Sequence, residues 1–160
     1  MLRITKLTDY AVVLLTRMAA RPDGASHTAR ELSAFARIPQ PTVSKILKDL
    51  AHGGVLASQR GVSGGFRLAR PARDISVADV IDAVEGPIAI TECTNDDAPA
   101  CEHVGSCPTE SSWLRINDVV RRALAAISLA SMVPTAPVVP LSRLVSGQGR
   151  ALRSNAEEPE

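Results

Sequence analysis

Residues 28–70 contain two helical patterns followed by a glycine-rich hairpin, and this order limits the fold more than any other feature. Thr28 and Glu31 have the spacing of a capping box, which predicts that a helix begins at Ala29. Pro39 ends that helix, because the residue before a proline is pushed out of the helical region. Pro41 suits the first turn of a second helix, where its missing N–H is not needed. The order predicts a helix-turn-helix.

The second of these helices has one apolar face and one polar, basic face. Its apolar residues recur at helical spacing, and they are Val43, Ile46, Leu47 and Leu50. The opposite face consists of Thr42, Ser44, Lys45, Lys48 and Asp49. Any small helical core gives such a stripe, so the pattern indicates a helix-turn-helix only in combination with the hairpin at residues 55–70. Gly53 and Gly54 end the helix.

Two strand patterns, at 55–60 and 66–70, come after the helix and are joined by the glycine-rich residues 61–65. A phosphate-binding loop for nucleotides is the alternative, but the glycine spacing matches neither the Walker pattern nor the dinucleotide-binding fingerprint, and no helix comes directly after it. Glycines let the backbone approach a partner closely, and Arg60 lies beside them. We therefore expect a mainly α fold: a winged helix-turn-helix with a two-stranded wing, plus a long C-terminal dimerisation helix.

Three further helices are expected around this motif. The first starts near Thr8 and buries Val12, Leu15 and Met18 or their neighbours, while Leu32 and Phe35 face the core from the next helix. A capped helix begins after Ser76 and ends at Gly86. A long helix then begins near Pro108, and its apolar stripe consists of Trp113, Ile116, Val120, Ala123, Ile127 and Ala130. This stripe covers either the domain's own core or, as we favour, a homodimer seam.

These patterns divide the chain into four parts. They are a DNA-binding domain (1–86), a cysteine loop (87–107), a dimerisation helix (108–132) and a largely disordered tail containing prolines (133–160). Residues 1–70 carry eleven basic and four acidic side chains, and residues 71–160 carry seven basic and thirteen acidic ones. The basic half suits a polyanion. With only four aromatic residues, base stacking on single strands is not expected, so the expected polyanion is double-stranded DNA.

The sequence also argues against other classes of protein. The apolar run 11–15 is too short for a signal peptide or a membrane span, so we expect a cytoplasmic protein with no membrane partner. No Ser/His/Asp set, paired catalytic carboxylates or nucleotide loop is evident. We therefore expect neither an enzyme nor a protein with a small-molecule substrate.

All three cysteines lie in one acidic segment, as Cys93, Cys101 and Cys107. Disulfides are rare in the cytosol, so clustered thiols suggest metal binding or redox chemistry. Residues 92–110 contain no Lys or Arg, and we expect the thiols to stay protonated unless a metal ion supplies positive charge. Structural zinc sites usually show paired C-x2-4-C motifs, which are absent, so an iron–sulfur cluster with one non-cysteine ligand fits better.

The residues 1–11, the wing at 60–70 and the helix ending at 83–86 resemble the Rrf-type bacterial transcription regulators with an iron–sulfur cluster (IscR- and NsrR-like), and most closely the subgroup that regulates the SUF iron–sulfur assembly operon. The resemblance covers about residues 1–132. It implies a dimer whose loop cysteines hold an iron–sulfur cluster, and this cluster tunes the affinity for DNA. A [2Fe–2S] cluster is favoured over a [4Fe–4S] cluster. IscR-like members place a histidine where this chain has Glu110, and NsrR-like members use a carboxylate matching Asp9 of the partner subunit. Glu110, Asp9 and His103 are thus the candidate fourth ligands.

The expected function is transcription regulation, as a repressor of iron–sulfur assembly genes that senses cluster or redox status. The alternatives are a cluster-free or zinc-bound regulator that acts through a protein partner, and a small iron–sulfur or thiol redox carrier. Ser44 stands where IscR-like members have glutamate, so operator preference does not transfer. The expected DNA contacts are Thr28, Gln40, Thr42, Ser44, Lys45, Lys48, Arg60, Ser63, Gly64 and Gly65.

Overall fold

The computed structural model describes residues 4–22, 24–59, 61, 64–95, 101–103 and 105–134. The tail from residue 135 onwards lies outside the described residues. Within these ranges no helix is long and apolar enough to cross a membrane. The elements in chain order are α1 (Lys6–Ala19), α2 (Ala29–Ala36), α3 (Gln40–His52), β1 (Leu56–Gln59), β2 (Gly65–Leu68), α4 (Val77–Glu85), α5 (Glu110–Ala125) and α6 (Leu129–Met132).

Helix α1 begins at Lys6, two residues before the predicted start. The reason is that Thr5 and not a later residue caps it: the Thr5 hydroxyl oxygen accepts a hydrogen bond from the N–H of Thr8. Thr8 itself is buried inside the helix. Asp9 lies in the first turn, where the sequence placed it and where the helix dipole favours a carboxylate.

The helix-turn-helix forms as predicted. The Thr28 hydroxyl accepts a 3.1 Å hydrogen bond from the N–H of Glu31 and caps α2. Helix α2 ends because Arg37 adopts a left-handed conformation (φ 55°) ahead of Pro39. The apolar stripe of α3 is completely buried, and it consists of Val43, Ile46, Leu47 and Leu50. This stripe anchors α3 against the core and turns its polar face outwards.

Phe35 does not face the core, and the sequence prediction for it is wrong. Its side chain is 51% exposed, whereas Leu32 on the same helix is fully buried. The guanidinium of Arg17 on α1 lies 4.5 Å from the centroid of the Phe35 ring. Leu32 fills the space that faces the core, and the Phe35 ring packs against a cation at the surface instead.

The wing is an antiparallel pair in which Leu56 lies opposite Leu68. Both strands are shorter than the sequence patterns. The backbone of His27 pairs with Phe66 through two reciprocal 2.8 Å hydrogen bonds, so the wing rests against the residues that lead into α2. The fold class of a winged helix with a two-stranded wing is confirmed.

The C-terminal part departs from the prediction. The expected continuous helix from 108 to 132 is two helices, α5 and α6, since Ser128 caps a new helix by accepting a hydrogen bond from the N–H of Ser131. Between them the chain pairs with the segment that enters α4, and the N–H of Leu129 donates to the carbonyl of Ile75 at 2.7 Å. Leu129 is buried with the core residues of α1, α3 and α4. Hence α6 packs as part of the winged-helix domain.

Candidate nucleic-acid interface and cysteine segment

The outer face of α3 presents five of the ten predicted DNA contacts. Gln40, Lys45 and Lys48 are exposed, and Thr42 and Ser44 are half-buried beside them. Lys45 is paired with Asp49 one turn further along, with 2.6 Å between Nζ and Oδ2. This pairing leaves Lys45 held along the helix, so a phosphate would have to compete with Asp49 for it.

Thr28 lies exposed at the start of α2, on the chain segment against which the wing packs. Its hydroxyl oxygen already accepts the capping hydrogen bond from Glu31. The hydroxyl can still donate a hydrogen bond to a phosphate oxygen.

The wing tip is described only in part, because Arg60 and Ser63 lie outside the described residues. Gly64 donates a 2.8 Å hydrogen bond to the carbonyl of Gly61. Gly65 has a packing reason of its own: a Cβ there would lie 2.6 Å from Ser26 Oγ and 2.7 Å from the carbonyl oxygen of His27. Any larger residue at Gly65 would therefore push the wing away from the start of α2.

Arg70 holds the base of the wing to α4. Its guanidinium donates to the carbonyls of Asp74 (2.8 Å) and Gly54 (3.3 Å) and pairs with the Asp79 carboxylate at 2.9 Å. Partial burial alone would raise the pKa of Asp79, but hydrogen bonds from the backbone and hydroxyl of Ser76, and the contacts with Arg70, bring it below its usual value. The wing and α4 are therefore joined by an ion pair at neutral pH.

The three cysteines are free, half-buried thiols on the connection between α4 and α5. Cys93 lies in a 3₁₀ turn (Glu92–Thr94), with Sγ 3.2 Å from the Thr91 hydroxyl oxygen. Cys107 lies just before α5, with Sγ 3.3 Å from the Thr109 hydroxyl oxygen. Each of these two thiols thus has a threonine hydroxyl as a hydrogen-bond partner.

The sequence expectation that nearby acids keep Cys107 protonated in the absence of a metal took no account of local hydrogen bonds. Hydrogen bonds from the hydroxyl and backbone of Thr109 lower the pKa of the Cys107 thiol, with a smaller contribution from the backbone of Glu110. The Glu110 carboxylate opposes this effect but is outweighed. Charge counting missed the effect because a thiolate is stabilised by local hydrogen-bond donors as well as by cations.

The candidate fourth ligands occupy separate positions. The Glu110 carboxylate accepts a 2.9 Å hydrogen bond from the N–H of Gly105, His103 is exposed in the loop, and Asp9 is exposed on α1. Among the described residues, no group of three or more Cys, His, Asp or Glu side chains is close enough to hold a metal ion. The structure therefore places the cysteines on one segment without bringing the three thiols together.

Helix α5 has an apolar face that nothing in the described part of the chain covers, and none of its residues is buried. The groove on this face is lined by Ser112, Arg115, Ile116, Val119 and Val120. Val119, which the sequence analysis missed, is 58% exposed, and Ile116 is 44% exposed. Helical periodicity could have placed Val119 with Ile116, three residues before it.

Two side chains that were not predicted hold the start of the cysteine segment. Asn117 of α5 hydrogen-bonds to the backbone of Ile88 and Ile90, and Asp82 of α4 hydrogen-bonds to Ile88 and to Arg121. A single Asn or Asp in a helix gives no periodic signal, so sequence reading alone could not find these contacts.

Comparison with known proteins agrees with this architecture. Over 141 residues the chain is 30% identical to the HTH-type transcriptional repressor NsrR of Streptomyces coelicolor, covering 86% of this chain and 94% of that protein. The structure resembles that of CymR, the global cysteine regulator of B. subtilis (TM-score 0.62, 22% identity, covering 83% of this chain and 97% of CymR). It also resembles T. potens IscR (TM-score 0.59, 23% identity, covering 82% and 86%).

These relatives are transcriptional regulators and not enzymes, which confirms the sequence expectation on that point. The model of one protein family, Rrf2, described as an iron-dependent transcriptional regulator, matches residues 4–135. That range includes the winged helix, the cysteine segment and both C-terminal helices. The chain belongs to the Rrf2 family of transcriptional regulators.

Proposed function

We propose that this protein is a repressor of iron–sulfur assembly genes that senses cluster or redox status through an iron–sulfur cluster bound by Cys93, Cys101 and Cys107. The observation that carries the proposal is the position of the cysteines. They lie on the connection between α4 and α5. Helix α4 is the last helix before the cysteines, and α5 has an uncovered apolar face. A ligand bound there would act on the link between the DNA-reading surface and the dimer surface.

The donor set fits an iron–sulfur cluster. Three free, half-buried thiols lie within one short segment, and iron–sulfur clusters are held by thiolates. The lowered pKa of Cys107 favours the deprotonated form that a metal requires. Because the described residues do not converge on a metal position, binding would require Cys93, Cys101 and Cys107 to move closer together.

Cluster binding would break hydrogen bonds that are present in this structure. Cys93 and Cys107 would exchange their threonine hydroxyl contacts for iron, and Glu110 would have to release Gly105 if it were a ligand. The bound cluster would supply a centre that reacts with oxygen, nitric oxide or electrons. The candidates for the fourth ligand are Glu110, His103 and Asp9, the last of these from a second copy of the chain.

DNA binding is supported by the basic half. The exposed Gln40, Lys45 and Lys48 on α3 would lie in the major groove, with Thr28 and the wing against the backbone. Helix-turn-helix proteins read two half-sites as dimers, and the uncovered apolar face of α5 suits a second copy of the chain. A regulator of this kind would act in the cytoplasm on its own promoters. The repressor role is proposed from the similarity to NsrR, which is named a repressor.

The experiment is anaerobic purification followed by absorption spectroscopy and iron and sulfide analysis. Wild-type protein should show visible cluster absorption, and Cys93→Ser, Cys101→Ser and Cys107→Ser should each lose it while remaining folded by circular dichroism. Ser106→Ala, in the same loop, is the matched control and should keep the absorption. A cysteine variant that keeps a full cluster would remove that cysteine from the ligand set.

A regulator without a cluster is the second candidate, and two observations favour it. The described residues contain no ready-made metal position, and CymR, a structural neighbour, is named a cysteine regulator. In that case wild-type protein prepared without metal would bind its promoter specifically, and loading it with iron and sulfide would leave the affinity unchanged.

A further inference from the structure

Residues 88–90, between α4 and the first cysteine, are held by a side chain of α5. The Asn117 Oδ1 accepts a 3.1 Å hydrogen bond from the N–H of Ile90, and the Asn117 Nδ2 donates a 3.1 Å hydrogen bond to the carbonyl of Ile88. An amide is the side chain that donates and accepts in this way from one plane. Asn117 therefore pairs with the segment as a neighbouring strand would.

The same segment is also held from α4. Asp82 Oδ1 accepts a 3.1 Å hydrogen bond from the N–H of Ile88, and Asp82 Oδ2 pairs with Arg121 of α5 at 3.0 Å. Ile88 is thus bound on its N–H side by α4 and on its carbonyl side by α5. The two helices are thus joined directly, by Asp82 and Arg121, and also through this short piece of backbone.

The connection continues directly to Cys93. The N–H of Ile90 is shared between Asn117 and the hydroxyl of Thr94, and Thr94 closes the turn that contains Cys93. Asn117 is half-buried in the middle of a helix, where asparagine is a poor helix former. Helix formation therefore does not explain Asn117, whereas its two backbone contacts do.

We propose that Asn117 is a positioning residue that couples Cys93 to α5 and, through Asp82, to α4. This inference rests on the proposed function, because it assigns the path by which the state of the cysteine segment reaches the DNA-reading helices. A change in the position of Cys93 on ligand binding would move residues 88–90 against both helices at once. Without Asn117, Cys93 could change position without shifting α5.

The first test uses the metal-free full-length protein and hydrogen exchange measured by mass spectrometry. In Asn117→Ala, peptides covering residues 86–94 should exchange about tenfold faster, which corresponds to about 1.4 kcal/mol of local opening. Asp118→Ala is the matched control, since Asp118 is exposed and pairs with Arg122 of its own helix. Exchange in Asn117→Ala equal to that of the wild type would overturn the proposed contact.

A second variant separates positioning from packing. Asn117→Asp keeps the size of the side chain and the acceptor for Ile90, but it sets a carboxylate oxygen against the carbonyl of Ile88. We expect it to behave as Asn117→Ala does in the exchange experiment. If Asn117→Asp exchanges as slowly as the wild type, the donor bond to Ile88 has no role and the proposal fails in this form.

The coupling itself is tested with DNA. The ratio of promoter affinity between cluster-loaded and cluster-free protein should fall to about one in Asn117→Ala, while the absorption per subunit and the dimer are unchanged. An unchanged ratio overturns the coupling role. If the wild-type ratio is itself one, the proposed function fails and the coupling role fails with it, but the exchange result still decides whether Asn117 holds the segment.

Discussion

The backbone N–H of Val77 donates a 2.9 Å hydrogen bond to the carbonyl oxygen of Ile127, which brings the chain after α5 back to the start of α4. The cysteine segment joins the end of α4 to the start of α5. Helix α5 is therefore connected to the winged-helix domain at both ends. A change in the cysteine segment can therefore shift α5 only while the other end of the helix stays attached, and we call this second contact the fixed attachment.

The fixed attachment depends on Leu129, which is 1% exposed and packs among the core residues. Leu129→Ala should lower the free energy of unfolding by about 2–5 kcal/mol, the range for a leucine removed from a packed core. Urea denaturation measures this. Met132→Ala, at a 39% exposed position of the same helix, is the control and should change stability by about 0.5 kcal/mol or less. Equal effects would mean that α6 does not belong to the core.

The capping contacts of Asp79 predict a pH dependence of stability. The pKa of Asp79 in the folded protein is below the ordinary value of 3.8. The ionised carboxylate therefore contributes fully to the free energy of unfolding above about pH 3.8, and this contribution is lost as the pH falls through the pKa of the folded protein. Asp79→Ala should lower the free energy of unfolding by about 1 kcal/mol at pH 7, as the loss of a helix cap does. The difference in stability between this variant and the wild type should shrink at pH values below the ordinary pKa.

Thermal unfolding between pH 7 and pH 2.5 measures this difference. Asp74→Ala is the comparison, because Asp74 is 54% exposed and its nearest ion-pair contact, with Arg73, is 3.8 Å long. A difference for Asp79→Ala that stays constant down to the lowest pH would show that the carboxylate charge is not what stabilises α4.

Lys48 is exposed on the outer face of α3, so a phosphate contact is predicted for it. Lys48→Ala should weaken promoter binding and reduce the slope of log affinity against log salt by about 0.9, the value for one lost phosphate contact on duplex DNA. Fluorescence anisotropy over a salt series measures both. Arg122→Ala removes one positive charge from α5 and should leave the slope unchanged. The reverse pattern would place the DNA on another face.

The apolar groove of α5 predicts a dimer seam that contains Val119 and Ile116. Val119→Asp would bury a charge in that seam at a cost of several kcal/mol, so sedimentation velocity should show a monomer. Leu114→Asp is the control, because Leu114 is 47% exposed on the opposite side of α5 by helical periodicity. A dimer that survives Val119→Asp and is lost in Leu114→Asp would move the seam to the other face.

Local signals in the sequence predicted much of the DNA-binding domain correctly. The caps at Thr28 and Ser76 and the stripe containing Ile46 and Leu50 are each decided by residues within a turn or two. The wing was predicted from its glycines. These features need no knowledge of distant parts of the chain, which explains why periodicity and capping rules were sufficient.

The errors arose where distant residues decide the outcome. Phe35 has helical spacing from Leu32, but only one of the two positions faces the core, and the ring contacts Arg17 instead. The stripe that continues past Ala125 suggested one long helix, whereas pairing with the segment before α4 interrupts it and buries Leu129. The role of Asn117 depends on backbone atoms far away in the sequence.

The most direct test of the central claim is the affinity of the wild-type protein for its own promoter with the cluster present and after the cluster has been removed, measured anaerobically in the same buffer. We predict that the two dissociation constants differ by about 5–150-fold, the range of a typical allosteric coupling, and that Cys101→Ser gives the cluster-free value under both conditions. Equal dissociation constants for the loaded and cluster-free wild type would contradict cluster sensing.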